Sequence, residues 1–221
     1  EKVTADKVAE GVWFLAGGSH NSVAIEMKDH LMVVESPLFD GRALPMLAQA
    51  KKLAPGKPIR FVVNSHHHFD HSGGLRTAVA EGATLVTSEL ARPYFEKTLA
   101  NPNRLSPDAM QKSGRTAQLT GVSGQRRFTD GDRVVDVHYI EGSVHARGFM
   151  MVHLPREKLL IEADAFTPGP PGAPPPATPN ALHVNLVQNM ERLNLQVEKI
   201  LPLHGRVVPV AELYTAIGRK N

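Results

Sequence analysis

Between Asn64 and Gly74 the chain reads Asn-Ser-His-His-His-Phe-Asp-His-Ser-Gly-Gly, and His66, His68, Asp70 and His71 place four potential metal ligands within six residues. An apolar run, Ile59 to Val63, precedes this stretch and reads as a buried strand; a helical pattern from about Leu75 to Ala80 follows it. Alternate side chains of an extended segment point the same way, so His66 and His68 reach one ion and Asp70 projects from the same side. His71 falls where Ser72-Gly73-Gly74 lets the backbone turn, which lets it bind with Asp70 at a second ion. Neutral imidazoles with a carboxylate suit Zn²⁺, and an all-nitrogen-and-oxygen set also permits iron or manganese. A purification tag would be an unbroken histidine run at a terminus; this run is internal, contains Asp70, and sits in strand–loop–helix context.

The surrounding elements must hold that stretch in place. Val8 to Leu15 reads as a strand ending at Ala16-Gly17-Gly18. Ser22–Ile25 and Leu31–Val34, split by Lys28-Asp29-His30, read as a hairpin. Gly41 to Leu53 carries Leu44, Leu47, Ala50 and Leu53 as a helical stripe, with Pro45 in its first turn and Pro55-Gly56 as its stop. Thr84–Thr87 is a strand, and Ser88 caps a helix running to about Ala100. Asn101 to Ser123 reads as an excursion of broken helix and loop. Strands follow at Arg127–Thr129, Val134–Ile140, Phe149–Leu154 and Leu159–Ala163. Thr167 to Pro179 holds seven prolines and is neither helix nor central strand; it is a passive linker or a lid beside the site. Leu186, Val187, Met190, Leu193 and Val197 form a last helical stripe, Ile200–Leu203 a short strand, and Val210–Ile217 a closing helix.

Composition narrows the classes. At 221 residues, 42% hydrophobic and 21% charged, the chain suits one globular domain, 1–221, with a substantial core. The net charge is only +3, and the tight basic pairs Lys51-Lys52, Arg126-Arg127 and Arg219-Lys220 are scattered, which speaks against a nucleic-acid partner. The apolar runs are too short to span a bilayer. No cysteine is present, which excludes disulfides, thiolate zinc sites and a cysteine nucleophile. Glu1 is no initiator methionine, so a secreted precursor cut after its signal fits, as does a trimmed chain.

Residues 66–71 resemble the H-x-H-x-D-H motif of the metallo-β-lactamase superfamily. The resemblance spans about Gly11 to His204 and implies an α+β fold, a four-layer αββα sandwich in which two facing mixed sheets carry helices outside and metals at their shared edge. Three polar residues, each just past an apolar strand, match the family's remaining ligands: His145 the third histidine, Asp164 the bridging aspartate and His204 the last donor. Taken alone they are an ordinary loop histidine, an aspartate opening a turn, and a strand-end histidine. Through the resemblance, His66, His68 and His145 go to a first metal, Asp70, His71 and His204 to a second, with Asp164 between them. Where the family often reads G-H-T-x-G-S, this chain has Val144-His145-Ala146-Arg147-Gly148, so the threonine is absent. His20, in a loop the family places near the site mouth, is the candidate for substrate contact. His67 should point away from the ligands, and His30, His138, His153 and His183 are taken as non-ligands.

Two Zn²⁺ ions ~3.5–4 Å apart hold a shared hydroxide and polarise an electrophile's oxygen, which makes the expected activity a metal-dependent hydrolysis of a carbonyl substrate: amide, ester, lactone or thioester. Asp70 would steer the nucleophile's proton. The alternatives are a β-lactamase proper, a phosphodiesterase, an iron-loaded oxidoreductase of the same fold, or a binding module with structural metals. Lactonases of this family carry tyrosine three residues after the bridging aspartate; here that place is Thr167. The 57 residues after Asp164 are short for the helical substrate domain of glyoxalase II enzymes. No basic arm like that of the transfer-RNA-processing relatives stands out. True β-lactamases of the family usually carry cysteine or serine where Asp164 falls. A small-molecule substrate, no membrane partner, and a periplasmic or secreted location complete the expectation.

Overall fold

Alternation of apolar residues folds the N-terminal part into an antiparallel meander of β1 (Thr4–Ala9), β2 (Val12–Ala16), β3 (Ser22–Glu26) and β4 (Leu31–Val34). The computed structural model describes residues 2–172 and 174–219; Glu1, Ala173 of the proline-rich segment, and Lys220 of the terminal basic pair lie outside them. The first strand read from the sequence is in fact two, because Gly11 takes φ +66° and turns the chain back between β1 and β2.

From β4 the pairing becomes parallel. Helix α1 (Asp40–Leu53) crosses over to β5 (Ile59–Val63). The single turn α2 (Phe69–Ser72) and helix α3 (Leu75–Ala80) lead to β6 (Thr84–Ser88). A 3₁₀ turn at Glu89–Ala91, α4 (Arg92–Ala100) and α5 (Ala109–Ser113) lead to β7 (Leu119–Val122). Ser88 Oγ accepts the Leu90 N–H at 3.1 Å, which is the cap its position implies. Strand β7 falls inside the stretch expected to be irregular; its four residues pair with β6, and that tertiary partner outweighs a polar local sequence. In α1 the buried residues are Arg42, Ala43, Met46, Leu47 and Ala50, so the buried stripe is rotated by about one position and Leu44 is exposed. Pro45 sits in the second turn rather than the first, and its ring removes one bond that Gly41 would accept.

The second sheet is antiparallel from β8 (Gln125–Thr129) through β9 (Val134–Tyr139) and β10 (Met150–Leu154) to β11 (Leu159–Glu162). Helix α6 (Ala181–Arg192) then crosses to β12 (Lys199–Pro202), which pairs parallel to β11, and a two-residue strand, β13 (Val208–Pro209), precedes α7 (Val210–Ala216). The sheets face each other across one apolar core holding Phe14, Val23, Val63, Val137, Val152 and Ile161; a second core joins Leu31, Val33, Leu47 and Leu85 to the outer helices of the first sheet. Each fully buried side chain of this size contributes ~1.5–3 kcal/mol. This is the αββα sandwich that the resemblance implied. No helix among the described residues is long and apolar enough to cross a membrane.

One buried group is a test of polar burial. Neither ring nitrogen of His138 meets a hydrogen-bond partner among the described residues, and burial lowers its pKa, so it sits neutral inside the fold. Its folded pKa lies below the unfolded ~6.5, so its contribution is held above that pH and lost as pH falls through the folded value. His138→Phe keeps the ring volume and removes two unpartnered nitrogens. The variant should be more stable at neutral pH by about 1 kcal/mol and lose less stability between pH 7 and 5, read by urea melts.

Candidate metal centre

Parallel pairing puts carboxyl ends side by side, and this positions the site. Strands β4 and β5 end together in the first sheet, β11 and β12 in the second, and each delivers polar residues to the common edge of the sandwich. Backbone bonds clamp the two sheets there: Asn21 N–H donates to Leu203 O at 2.9 Å, and Met150 N–H to Ser65 O at 2.9 Å.

The loop after β5 is held from below by Glu35, which is fully buried just past β4. Its Oε1 accepts the Ser65 N–H at 3.0 Å and the Ser65 hydroxyl, and its Oε2 accepts His71 Nδ1–H at 2.5 Å. The Ser65 hydroxyl spends its proton on Glu35, so at 2.9 Å it accepts from His66 Nδ1. One carboxylate thus fixes the protons of His66 and His71 on Nδ1 and leaves both Nε2 atoms facing the site. Glu35 has φ +68°, a left-handed conformation uncommon for glutamate, held by this set of bonds. His68 starts α2, and its carbonyl accepts the His71 and Ser72 N–H groups at 3.1 and 2.9 Å. Gly73 and Gly74 do not supply a left-handed turn. They allow close approach: a β-carbon at Gly73 would overlap Leu38 O, and one at Gly74 would lie 2.7 Å from Ser36 O.

The structure brings every expected ligand together. Donor atoms of His66, His68, His145 and Asp164 lie within 4.8 Å of one another, and so do those of His20, Asp70, His71 and His204. Asp164 joins the two groups: its Oδ2 is 3.2, 2.9 and 3.0 Å from Nε2 of His66, His71 and His145, and its Oδ1 is 3.2 Å from His204 Nε2. Yet Asp164 Oδ2 is buried with no hydrogen bond of acceptable geometry. His66 and His145 approach nitrogen to nitrogen at 3.1 Å, and His71 and His204 at 3.0 Å. Two ligands on one ion with ~2.0–2.1 Å bonds stand about that far apart. The donor set therefore fits two cations better than it fits hydrogen bonds alone. No ion is part of the structure.

Protonation follows the same geometry. Burial lowers His66 and His145, keeping them neutral against the pull of Asp164. Burial also opposes the charge on His71, but Glu35 and Asp164 outweigh it and raise the group to about 10. His204 is raised by its bond to Asp164. Burial pushes Asp164 up, and the surrounding imidazoles, His204 first, hold it far below the usual carboxylate range. Asp70 is likewise held ionised, since His20 and His71 overcome its partial burial.

The other expectations resolve individually. His67 turns away and packs edge-on against Tyr94, ring centroids 5.2 Å apart. His20 is not at an open mouth: it is 8% exposed, with Nε2 3.1 Å from Asp70 Oδ2. His138 and His153 join Asp136 in a separate buried cluster, where Arg127 takes both Asp136 oxygens at 2.7 and 2.8 Å and the Gln196 carbonyl takes His153 Nε2 at 3.0 Å. Glu35 escaped the sequence reading. The signal was present, a polar residue directly after the apolar strand Leu31–Val34, the same signal that marked Asp164 and His204.

Two facing mixed sheets with a histidine–aspartate cluster at their edge define a fold class, and residues 15–208 match the metallo-beta-lactamase superfamily. The chain belongs to that superfamily. Its fold is similar to a metallo-beta-lactamase from Pontibacter korlensis (16% identity, 98% of each chain, TM-score 0.73) and to one from Hirschia baltica (20% identity, 100% of each chain, TM-score 0.70). Over 168 residues it is 24% identical to the 2,4-dinitroanisole O-demethylase subunit alpha of Nocardioides sp. (strain JS1661), covering 76% of this chain and 48% of that protein. The chain spans about half the length of that curated relative.

Proposed function

We propose that the protein is a metal-dependent hydrolase of small carbonyl substrates, with two divalent ions, zinc foremost, held by His66, His68 and His145 on one side and Asp70, His71 and His204 on the other. The observation that carries this reading is the convergence of three imidazole nitrogens on one oxygen of Asp164 without hydrogen-bond geometry. Bound there, the ions would bring the pKa of water to ~7 and polarise the substrate's oxygen, supplying a nucleophile without serine or cysteine.

The chain's own residues do the rest. Asp70, its side chain 41% exposed, is the site carboxylate most open to solvent, and its ionised form is placed to accept and steer a proton. Phe69 and Val144, each next to a site histidine in sequence, are exposed. Such surroundings suit a substrate with an apolar acyl or aryl part.

A second reading has its own support in the relative named as an O-demethylase of 2,4-dinitroanisole: the same apolar rim would take the ring of an aryl ether. One panel separates the two. The zinc-loaded protein is offered a chromogenic ester, a lactone, a thioester, a cephalosporin and 2,4-dinitroanisole. Chelator-sensitive turnover of one of the first three, restored by zinc, is expected. Turnover of 2,4-dinitroanisole alone transfers the proposal to ether cleavage, and turnover indifferent to chelator overturns both.

A further inference from the structure

We infer that His20 is a direct donor to the metal position it shares with Asp70, His71 and His204, which makes the two positions chemically unequal. The inference rests on the two-ion reading proposed above. The first position is served by three imidazoles and Asp164. The second is served by three imidazoles and two carboxylates, Asp70 and Asp164.

The geometry of the loop between β2 and β3 supports this. His20 Nε2 is 3.1 Å from Asp70 Oδ2, and its ring lies edge-on to His204 and His71, centroids 4.3 and 5.6 Å away. Its donor atom is within 4.8 Å of those of Asp70, His71 and His204. Ser19 Oγ stands 2.7 Å from His20 Nδ1 and can accept its proton, leaving the Nε2 lone pair for a cation. The loop is built in rather than loosely laid over the site. Arg42, buried under α1, donates to His20 O at 2.7 Å, and Asn21 Nδ2 donates to Gly205 O at 2.9 Å. His204 Nδ1 in turn donates to Ser19 O at 3.2 Å, so one turn of backbone sets the orientation of two donors at the same position.

Donor number decides which ions the positions take. Four donors suit a tetrahedral zinc ion. Five donors and a water make six, which suits a first-row ion that favours octahedral oxygen and nitrogen ligands, such as manganese(II) or iron(II). The second position is thus a five-donor site with room for a water, which suits such an ion, whereas the four donors of the first suit zinc.

Cobalt(II) reads this directly, because four-coordinate cobalt absorbs strongly in the visible and six-coordinate cobalt weakly. The full chain is stripped of metal and titrated with cobalt(II). In the wild type the first equivalent should give an intense band and the second should add little. His20→Gln keeps a hydrogen-bond donor for Asp70 but is a poor ligand; the second equivalent should bind at least about tenfold more weakly and absorb more strongly. An intense second band in the wild type overturns the inference, whatever the variant does. Equal affinity and equal spectrum in His20→Gln overturn it as well, and reduce His20 to a group that holds Asp70. Fewer than two equivalents in the wild type overturn the two-ion reading itself, and the inference with it.

Discussion

Asp164→Ala should cost the protein about half of its bound metal and lower hydrolysis by about 10²–10³-fold, the range seen when one preorganised electrostatic group is removed from a site. The reason is its position between two clusters. Its two oxygens lie 2.9–3.2 Å from the Nε2 atoms of His66, His71, His145 and His204. Without it, Asp70 is the one aspartate left among these imidazoles, and it lies beside His71 and His204 rather than between the two proposed ions. Asp164→Asn is the sharper variant, because it keeps the volume and one carbonyl oxygen while removing the charge. Elemental analysis after reconstitution, followed by turnover on whichever substrate the panel identifies, makes the check. Two full equivalents with undiminished turnover in both variants would remove Asp164 from the site.

Glu35→Ala should be the most damaging change outside the histidine–aspartate cluster of the site. It leaves Ser65 N–H and His71 Nδ1–H without their acceptor in a fully buried place, and breaking a buried pair of this kind costs ~3–5 kcal/mol. It also frees His66 and His71 to change tautomer, which should weaken metal binding by ~10–100-fold. Glu35→Gln keeps the size and one accepting oxygen, so Ser65 can stay bonded while His71 Nδ1 loses its charged acceptor. The pH dependence of the metal-free protein gives a further readout. His71 is raised to about 10 in the fold, above its unfolded ~6.5. The stability this supplies is therefore fully present below ~6.5 and is lost as pH rises through about 10. Urea melts in chelator should show wild-type stability falling over that window and a flatter profile in Glu35→Gln. Identical profiles would mean that Glu35 does not set the charge of His71.

The run His66 to His71 was legible because its donors are close in sequence. Residues at most five apart stay together whatever the rest of the chain does, and the strand before them and glycines after them leave few local geometries. His145, Asp164 and His204 were legible only as polar residues past apolar strands, and the resemblance supplied their roles. Local pattern was misleading where tertiary pairing overrode it. Leu119–Val122 looks like loop and is the edge strand of a seven-stranded sheet. The glycines after His71 look like a turn device and are a close-packing device.

The sequence by itself determined that this chain carries an imidazole- and carboxylate-rich motif on a mixed α and β framework without thiols. Only the tertiary structure decided that Glu35 anchors that motif from beneath, that His20 is buried against Asp70, and that Asp164 lies between both clusters. The physical reason is reach. Side chains a few residues apart are placed by local dihedral angles, whereas groups 133 to 185 residues apart, such as His71 with His204 and the Ser19 carbonyl with His204, meet only because two sheets align the carboxyl ends of parallel strands at one edge.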